Sequence, residues 1–148
     1  MKVYISGSLI SVKDREKAHQ FYEFLANLCK EEGHEPYLPH QNSDPILHKH
    51  LTPEQVFDKD FHNLLNSDLI LASLNEPSTG VGAEIGISLK KGIEIFAIYN
   101  KESNPSRFIL GLLSRSDKAK IFVYENLAEC KIILKNNLNA LSKKLLIS

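Results

Sequence analysis

Two periods of apolar residues alternate along this chain, a short run or period-two pattern and a three-to-four-residue pattern, and their alternation lays out a fold. Lys2 to Ser6, KVYIS, is β-branched or aromatic at Val3, Tyr4 and Ile5, which predicts a first strand that Gly7 and Ser8 end. Ala18, Phe21, Phe24, Leu25 and Leu28 then recur at helical steps, so Val12 to Glu32 reads as an amphipathic helix closed by Gly33. Glu35 to Leu38 is a short second strand, in which Pro36 suits only an edge. His40 to Leu51 reads as a polar loop. Thr52-Pro53-Glu54-Gln55 combines a cap, a proline at the first helical position, an early acid and a capping-box glutamine, and opens a helix to about Asn66.

The stretch Asp68 to Gly86, DLILASLNEPSTGVGAEIG, joins the elements that matter most. Asp68 to Leu74 is the near-continuous apolar run of a strand buried on both faces. Asn75 to Gly82 cannot extend it, because Pro77 lacks an N–H and Gly80 and Gly82 open backbone conformations closed to other residues. From Val81 the spacing is helical through Ile85 and Leu89, ending near Lys90, Lys91 and Gly92. Ile93 to Tyr99 predicts a fourth strand, Phe108 to Leu113 a helical segment after a turn-rich loop, Lys120 to Tyr124 a fifth strand, and Asn126 to Ile147 a last helix. Strands alternating with helices predict one doubly wound, Rossmann-like α/β domain over residues 1–148, with five parallel strands in the order 2-1-3-4-5.

That order brings the ends of the first and third strands to one crevice, where open parallel sheets bind ligands. Unpaired N–H groups at the helix start, with the Ser78 and Thr79 hydroxyls, make a site for an anion such as phosphate. Glu84 falls in the first helical turn of this reading, where the helix macrodipole favours its ionised form. Ser78 and Glu84 would hold groups roughly 5–10 Å apart, the span from a nucleotide's 5′-phosphate to its C1′. Ser8 would face the same crevice from the first strand. Other readings stand beside these: the glycines serve only a tight turn, Tyr4 is only a core aromatic, and Asp60, on the apolar side of its helix, only pairs with a lysine at the rim.

Composition narrows the partners. The 148 residues are 43% hydrophobic and 24% charged with a formal charge of zero, so neither nucleic acid nor an anionic membrane is expected as a partner. A start directly on a strand-like run, and no apolar run near membrane length, predict a cytoplasmic protein. Cys29 and Cys130 lie in no CxxC pattern and are expected to be reduced structural thiols. His40, His48 and His50 match no compact zinc site, so no metal is expected.

Three blocks, VYISGS at Val3 to Ser8, the FDKD…NSD run from Phe57 to Asp68, and PSTGVGAEIG at Pro77 to Gly86, resemble the nucleoside 2-deoxyribosyltransferase superfamily, nearer its 2′-deoxynucleoside 5′-phosphate N-hydrolase branch. The resemblance implies that Glu84 attacks C1′ of the sugar, that Asp60 orients the sugar or helps protonate the departing base, and that Tyr4 hydrogen-bonds the glutamate. It further implies that Ser8 and Ser78, with the backbone at Gly7, Gly80 and Gly82, hold a 5′-phosphate, and that His40 lies near the base. No cofactor is implied. A homodimer or higher homo-oligomer is, because family members often complete each site from a neighbouring subunit. This chain departs from the hydrolases at Leu9 and Ile10, where they usually carry an arginine, and at Ala83, where an aromatic residue often precedes the glutamate. The expected reaction is cleavage of the N-glycosidic bond of a nucleoside 5′-monophosphate. The alternatives are base exchange between free deoxynucleosides and nucleotide binding without turnover.

Overall fold

A computed structural model of the chain describes residues 1–10 and 13–147 and contains the doubly wound sheet. Five strands, β1 (Lys2–Ser6), β2 (Glu35–Tyr37), β3 (Leu69–Ser73), β4 (Glu94–Asn100) and β5 (Ala119–Tyr124), pair in parallel in the order β2-β1-β3-β4-β5. Helices α1 (Arg15–Glu31), α2 (Pro39–Asn42), α3 (Pro53–Leu65), α4 (Thr79–Lys91), α5 (Arg107–Ser114) and α6 (Leu127–Ile147) make the connections. Pro36 lies in β2, the edge strand, where its missing N–H breaks no central ladder.

The alternation along β3 explains why this strand is apolar throughout. Leu69 and Leu71 enter the core under α1 and α6, Ile70 and Ala72 the core under α4 and α5, and every residue of the strand is buried. β1 divides likewise, with Val3 and Ile5 on the first side and Tyr4 on the second. Cys29 and Cys130 are free and buried in the first core, and burial pushes both thiols up to about 12, which makes them poor nucleophiles. Among the described residues no helix is long and apolar enough to cross a membrane.

Several boundaries differ from those the sequence predicts. Val12, the expected start of α1, lies outside the described residues; the helix begins at Arg15, capped by the Asp14 side chain accepting the Lys17 N–H at 3.0 Å. The polar loop opens with the single-turn helix α2, because Pro39 at its first position is pre-organised for a helix. β4 runs one residue later than expected and includes Glu94, a buried carboxylate that accepts from Lys118 and Lys144, each at 3.1 Å. The largest change in meaning is at α4. Ser78 is its N-cap, accepting the Val81 N–H, so the helix starts at Thr79 and Glu84 falls in its second turn. Gly80 and Gly82 are ordinary helical residues; the glycines with positive φ are Gly33 and Gly92, at the ends of α1 and α4. The expectation that Gly80 and Gly82 supply unusual backbone conformations is therefore corrected: the proline and the serine cap make the turn.

Gly7 is a different case. A Cβ placed on it would come within 2.3 Å of the Tyr22 ring, whose hydroxyl donates to the Ser8 carbonyl at 2.9 Å. The turn after β1 therefore lies flat on an α1 aromatic, and only glycine permits that approach. Gly7→Ala is expected to destabilise the protein by about 1–3 kcal/mol, as overpacking does; urea unfolding measures it, and Tyr22→Leu in the same chain should return part of the loss. A second expectation concerns pH. His34 is buried, neither ring nitrogen has a hydrogen-bond partner among the described residues, and burial holds its pKa below the ordinary 6.5. The unfolded chain therefore takes up the proton first, so stability is complete above about pH 6.5 and declines as pH falls below it. The urea midpoint should drop between pH 7.5 and 5.5, and less so for His34→Phe.

Candidate functional site

Tyr4 carries the site because its two ends obey different physics. Its ring is fully buried against Tyr37, the ring centroids 5.5 Å apart, while its hydroxyl reaches the sheet's C-terminal edge and donates to Glu84 Oε1 at 2.8 Å. Ser6, two residues on and so on the same face of β1, donates to Glu84 Oε2. Both carboxylate oxygens of Glu84 thus meet a hydroxyl held by the central strands. Tyr4 is at once a core aromatic and a hydrogen-bond donor to Glu84, so burial of its ring does not keep its hydroxyl from the sheet edge.

Asp60 has the same kind of support from another direction. Its Oδ1 accepts from Tyr37 at 2.9 Å and its Oδ2 from Ser43 at 2.6 Å, so β2 and the segment after α2 hold the carboxyl that α3 supplies. The expected partner of a rim aspartate, a neighbouring lysine, is engaged elsewhere: Lys59 donates to the Asn42 carbonyl at 2.9 Å. The stacked Tyr4 and Tyr37 rings join the two carboxyls into one constellation.

Burial pushes the Glu84 carboxyl above its ordinary value; the Ser6 and Tyr4 hydroxyls oppose this, and the Asp60 charge adds to it. Asp60 is also raised, first by burial, against the hydroxyls of Ser43 and Tyr37. The helix dipole expected to keep Glu84 ionised is thus outweighed: the residue sits one turn too deep for the dipole's strongest effect, and desolvation acts directly. Tyr4 and Tyr37 are raised by burial and by these carboxyls, so both phenols remain hydrogen-bond donors at neutral pH.

The serines expected to hold an anion lie on the turns after β1 and β3. Ser8 is buried at the end of β1, and Ser78 caps α4 with a hydroxyl that still has its proton to offer. Gly80 and Gly82 add no side chain to the first turn of α4, which Thr79 and Val81 share; a Cβ on Gly82 would meet only Ile109 at 3.7 Å. Of the two cations the sequence sets after the first loop, Lys13 and Arg15, Arg15 is not free to serve: it is ion-paired with Asp44, whose carboxyl also accepts the N–H groups of Ile46 and Leu47, each at 2.9 Å. His40 is brought beside His19, ring centroids 4.5 Å apart, and 3.5 Å from Glu23, in a cluster that reaches the Gly7–Ser8 turn through Tyr22 but not the two site carboxyls.

Ser6, Tyr37 and Ser43 are contacts that reading the sequence missed. A parity argument could have found Ser6, which shares a strand face with Tyr4; the other two meet Asp60 only through the fold. A cavity of about 580 Å3 lies apart, between α1, α6 and the ends of β3 to β5, lined by Phe21, Tyr22, Phe24, Asn75, Tyr124 and Leu127, and neither Glu84 nor Asp60 borders it. Among the described residues no three His, Cys, Asp or Glu side chains converge to hold a metal ion.

Comparison with known proteins gives the family and the fold. The profile of the family "Nucleoside 2-deoxyribosyltransferase" matches residues 3–136. A Methanococcoides burtonii protein provisionally named 2′-deoxynucleoside 5′-phosphate N-hydrolase 1 is 31% identical over 113 residues, covering 75% of this chain and 90% of that protein. In fold, the chain is similar to the Clostridium botulinum CMP N-glycosidase BcmB, with TM-score 0.72 and 21% identity over 93% of this chain and 99% of the other. It is also similar to the 2-deoxyribosyltransferase of Bacillus psychrosaccharolyticus, with TM-score 0.65 and 17% identity over 87% and 90%. With the profile spanning both carboxyls and all five strands, the chain belongs to the nucleoside 2-deoxyribosyltransferase family, a family of enzymes acting on the glycosidic bonds of nucleosides and nucleotides.

Proposed function

We propose that the protein hydrolyses the N-glycosidic bond of a nucleoside 5′-monophosphate, ribo or 2′-deoxy, with Glu84 as nucleophile. The observation that carries this reading is the Glu84 carboxylate braced on both oxygens by Tyr4 and Ser6, with Asp60 raised in pKa across the stacked tyrosines. In the first step a Glu84 oxygen bonds to C1′ as the C1′–N bond breaks, the electron pair leaves with the base, and the protonated Asp60 gives that nitrogen its proton. A water oxygen then bonds to C1′ as the C1′–O bond to Glu84 breaks, and its proton passes to the Asp60 carboxylate, releasing sugar 5-phosphate and restoring both acids. Tyr4 and Ser6 aim the carboxylate, and the glycine-containing first turn of α4 with Ser8 and Ser78 receives the phosphate. The name of the Methanococcoides relative supports a phosphorylated substrate.

One observation favours base exchange on unphosphorylated nucleosides instead. Leu9 and Ile10 stand where the resemblance leads one to expect an arginine, and Arg15 is occupied by Asp44. Turnover of nucleosides against their 5′-monophosphates separates the two readings: the monophosphate should be preferred at least about tenfold, the effect of one charge-assisted hydrogen bond. Equal turnover, with transfer to an added base, would favour exchange, and nucleotide binding with no base released would make the protein a binding module.

Incubation of the four common monophosphates with wild type and variants tests the residues. Asp60→Asn is expected to lower kcat by about 10²–10⁴-fold, Glu84→Gln by more, and equal base release from Glu84→Gln and wild type would end the reading. Activity should rise with pH as Glu84 ionises, at a pH above the ordinary 4.5, and fall again as Asp60 loses its proton.

We also propose a homodimer or higher homo-oligomer. Phe108, 79% exposed at the start of α5, adjoins Ile109, which touches the first turn of α4, so a second copy seated there would close the crevice. Sedimentation should give a multiple of the 16.7 kDa chain, and Phe108→Glu should shift it toward that mass.

A further inference from the structure

Ser43 occupies a position with more acceptors than it has protons to give. Its Oγ lies 2.6 Å from Asp60 Oδ2 and 3.1 Å from the Pro39 carbonyl, and a serine hydroxyl carries one proton. Both contacts are favourable in one rotor only if the acceptors share that proton, or if the proton moves between them as the charge on Asp60 changes. The site is buried, Ser43 being 3% exposed, so water offers little substitute for a missing partner.

We propose that Ser43 is a positioning residue that lets Asp60 exist both protonated and ionised without losing a hydrogen bond at Oδ2. While Asp60 is ionised, the Ser43 proton points at Oδ2. While Asp60 is protonated at Oδ2, that proton is donated to the Ser43 oxygen, and the Ser43 proton turns to the Pro39 carbonyl. When Asp60 gives its proton to the departing base, the Ser43 hydroxyl rotates back to the new carboxylate. No proton passes between Ser43 and Asp60, and the count is the same on both sides of the step. The inference rests on the proposed role of Asp60 as acid.

The setting suits such a rotor. Ser43 is adjacent to Asp44, whose carboxyl burial pushes up, while hydrogen bonds from Arg15 and from the Leu47 and Ile46 N–H groups overcome this and hold it down to about 2. That anchor fixes the backbone, leaving only the hydroxyl to turn. The other groups that act on Asp60 or feel its charge are Tyr37 from β2, Lys59 on its own helix, Tyr4 from β1 and Glu84 from α4. Tyr37, donating to the opposite oxygen, has no second acceptor among its described contacts and so answers only one state of the acid.

The test is a cycle of Ser43→Ala and Asp60→Asn, read two ways. Carbon-13 NMR titration of the Asp60 side chain needs no turnover: Ser43→Ala should move its pKa upward, since a donor to the ionised form is gone, and Ser43→Thr, which keeps the hydroxyl, should return it toward wild type. In base release from a nucleoside monophosphate, Ser43→Ala should lower kcat by about 10–100-fold with KM little changed, and should cost nothing further in the Asp60→Asn background. An unmoved Asp60 pKa, or an equal loss in both backgrounds, overturns the proposal, because a serine that merely ties the chain to Pro39 would act whether or not residue 60 is an acid. A shifted pKa without any base release from wild type would instead uphold the Ser43 contact and overturn the glycosidase reading.

Discussion

The hydrogen bond from Tyr4 to Glu84 joins the buried centre of the sheet to the carboxyl that α4 brings to its edge. The tyrosine ring is locked in the second core between β1, β2 and β3, so its hydroxyl is a fixed point at the sheet edge. A hydrogen bond to a charged group contributes about 1.5–3 kcal/mol, and leaving the buried donor unmet would cost a similar amount. α4 gains little from propensity in its first two turns, where Gly80, Gly82 and Gly86 each cost about 1 kcal/mol relative to alanine. Burial of Val81 and Ile85 holds the helix to the sheet, and the phenol sets where along the edge its carboxylate arrives.

Three acids of this chain show how their surroundings, not their type, set their chemistry. Asp44 is fully buried yet held near 2, because a guanidinium and two backbone N–H groups meet its charge. Glu84 and Asp60 are met by hydroxyls, which donate less strongly, so burial prevails and both rise. Asp44 thus suits anchoring the segment beneath the site. The two raised acids hold their protons to higher pH than an exposed carboxyl does, a property that suits general acid–base work.

The family assignment and the fold agree on what is shared, and the departures mark what is particular. Sequence similarity near 30% carries the family, and structures at 17–21% identity carry the fold. Leu9, Ile10 and Ala83 are the positions at which this chain departs from the residues the resemblance implies, and the only arginine of the first two elements is tied to Asp44. A substrate anion would then be held by hydroxyls and the amides of α4, a weaker but more permissive grip than a guanidinium fork.

Local pattern alone determined the strand and helix series, the parallel order with its edge proline, and the meeting of the turn after β1 with the turn after β3, because period, capping and crossover rules act over a few residues. Glu84, Tyr4 and Asp60 were legible as candidates on the same grounds. Tertiary structure alone decided the rest: that Ser6 rather than a glycine turn completes the Glu84 clamp, that Tyr37 and Ser43 meet Asp60, that Arg15 is tied to Asp44, and that Glu84 lies a turn deeper in α4. Those contacts join residues from 17 to 78 positions apart, except the cap at Ser78, or turn on how much water reaches a carboxyl. Neither distance across the sheet nor desolvation is written in a local pattern; both arise only once the strands have paired and the helices have covered them.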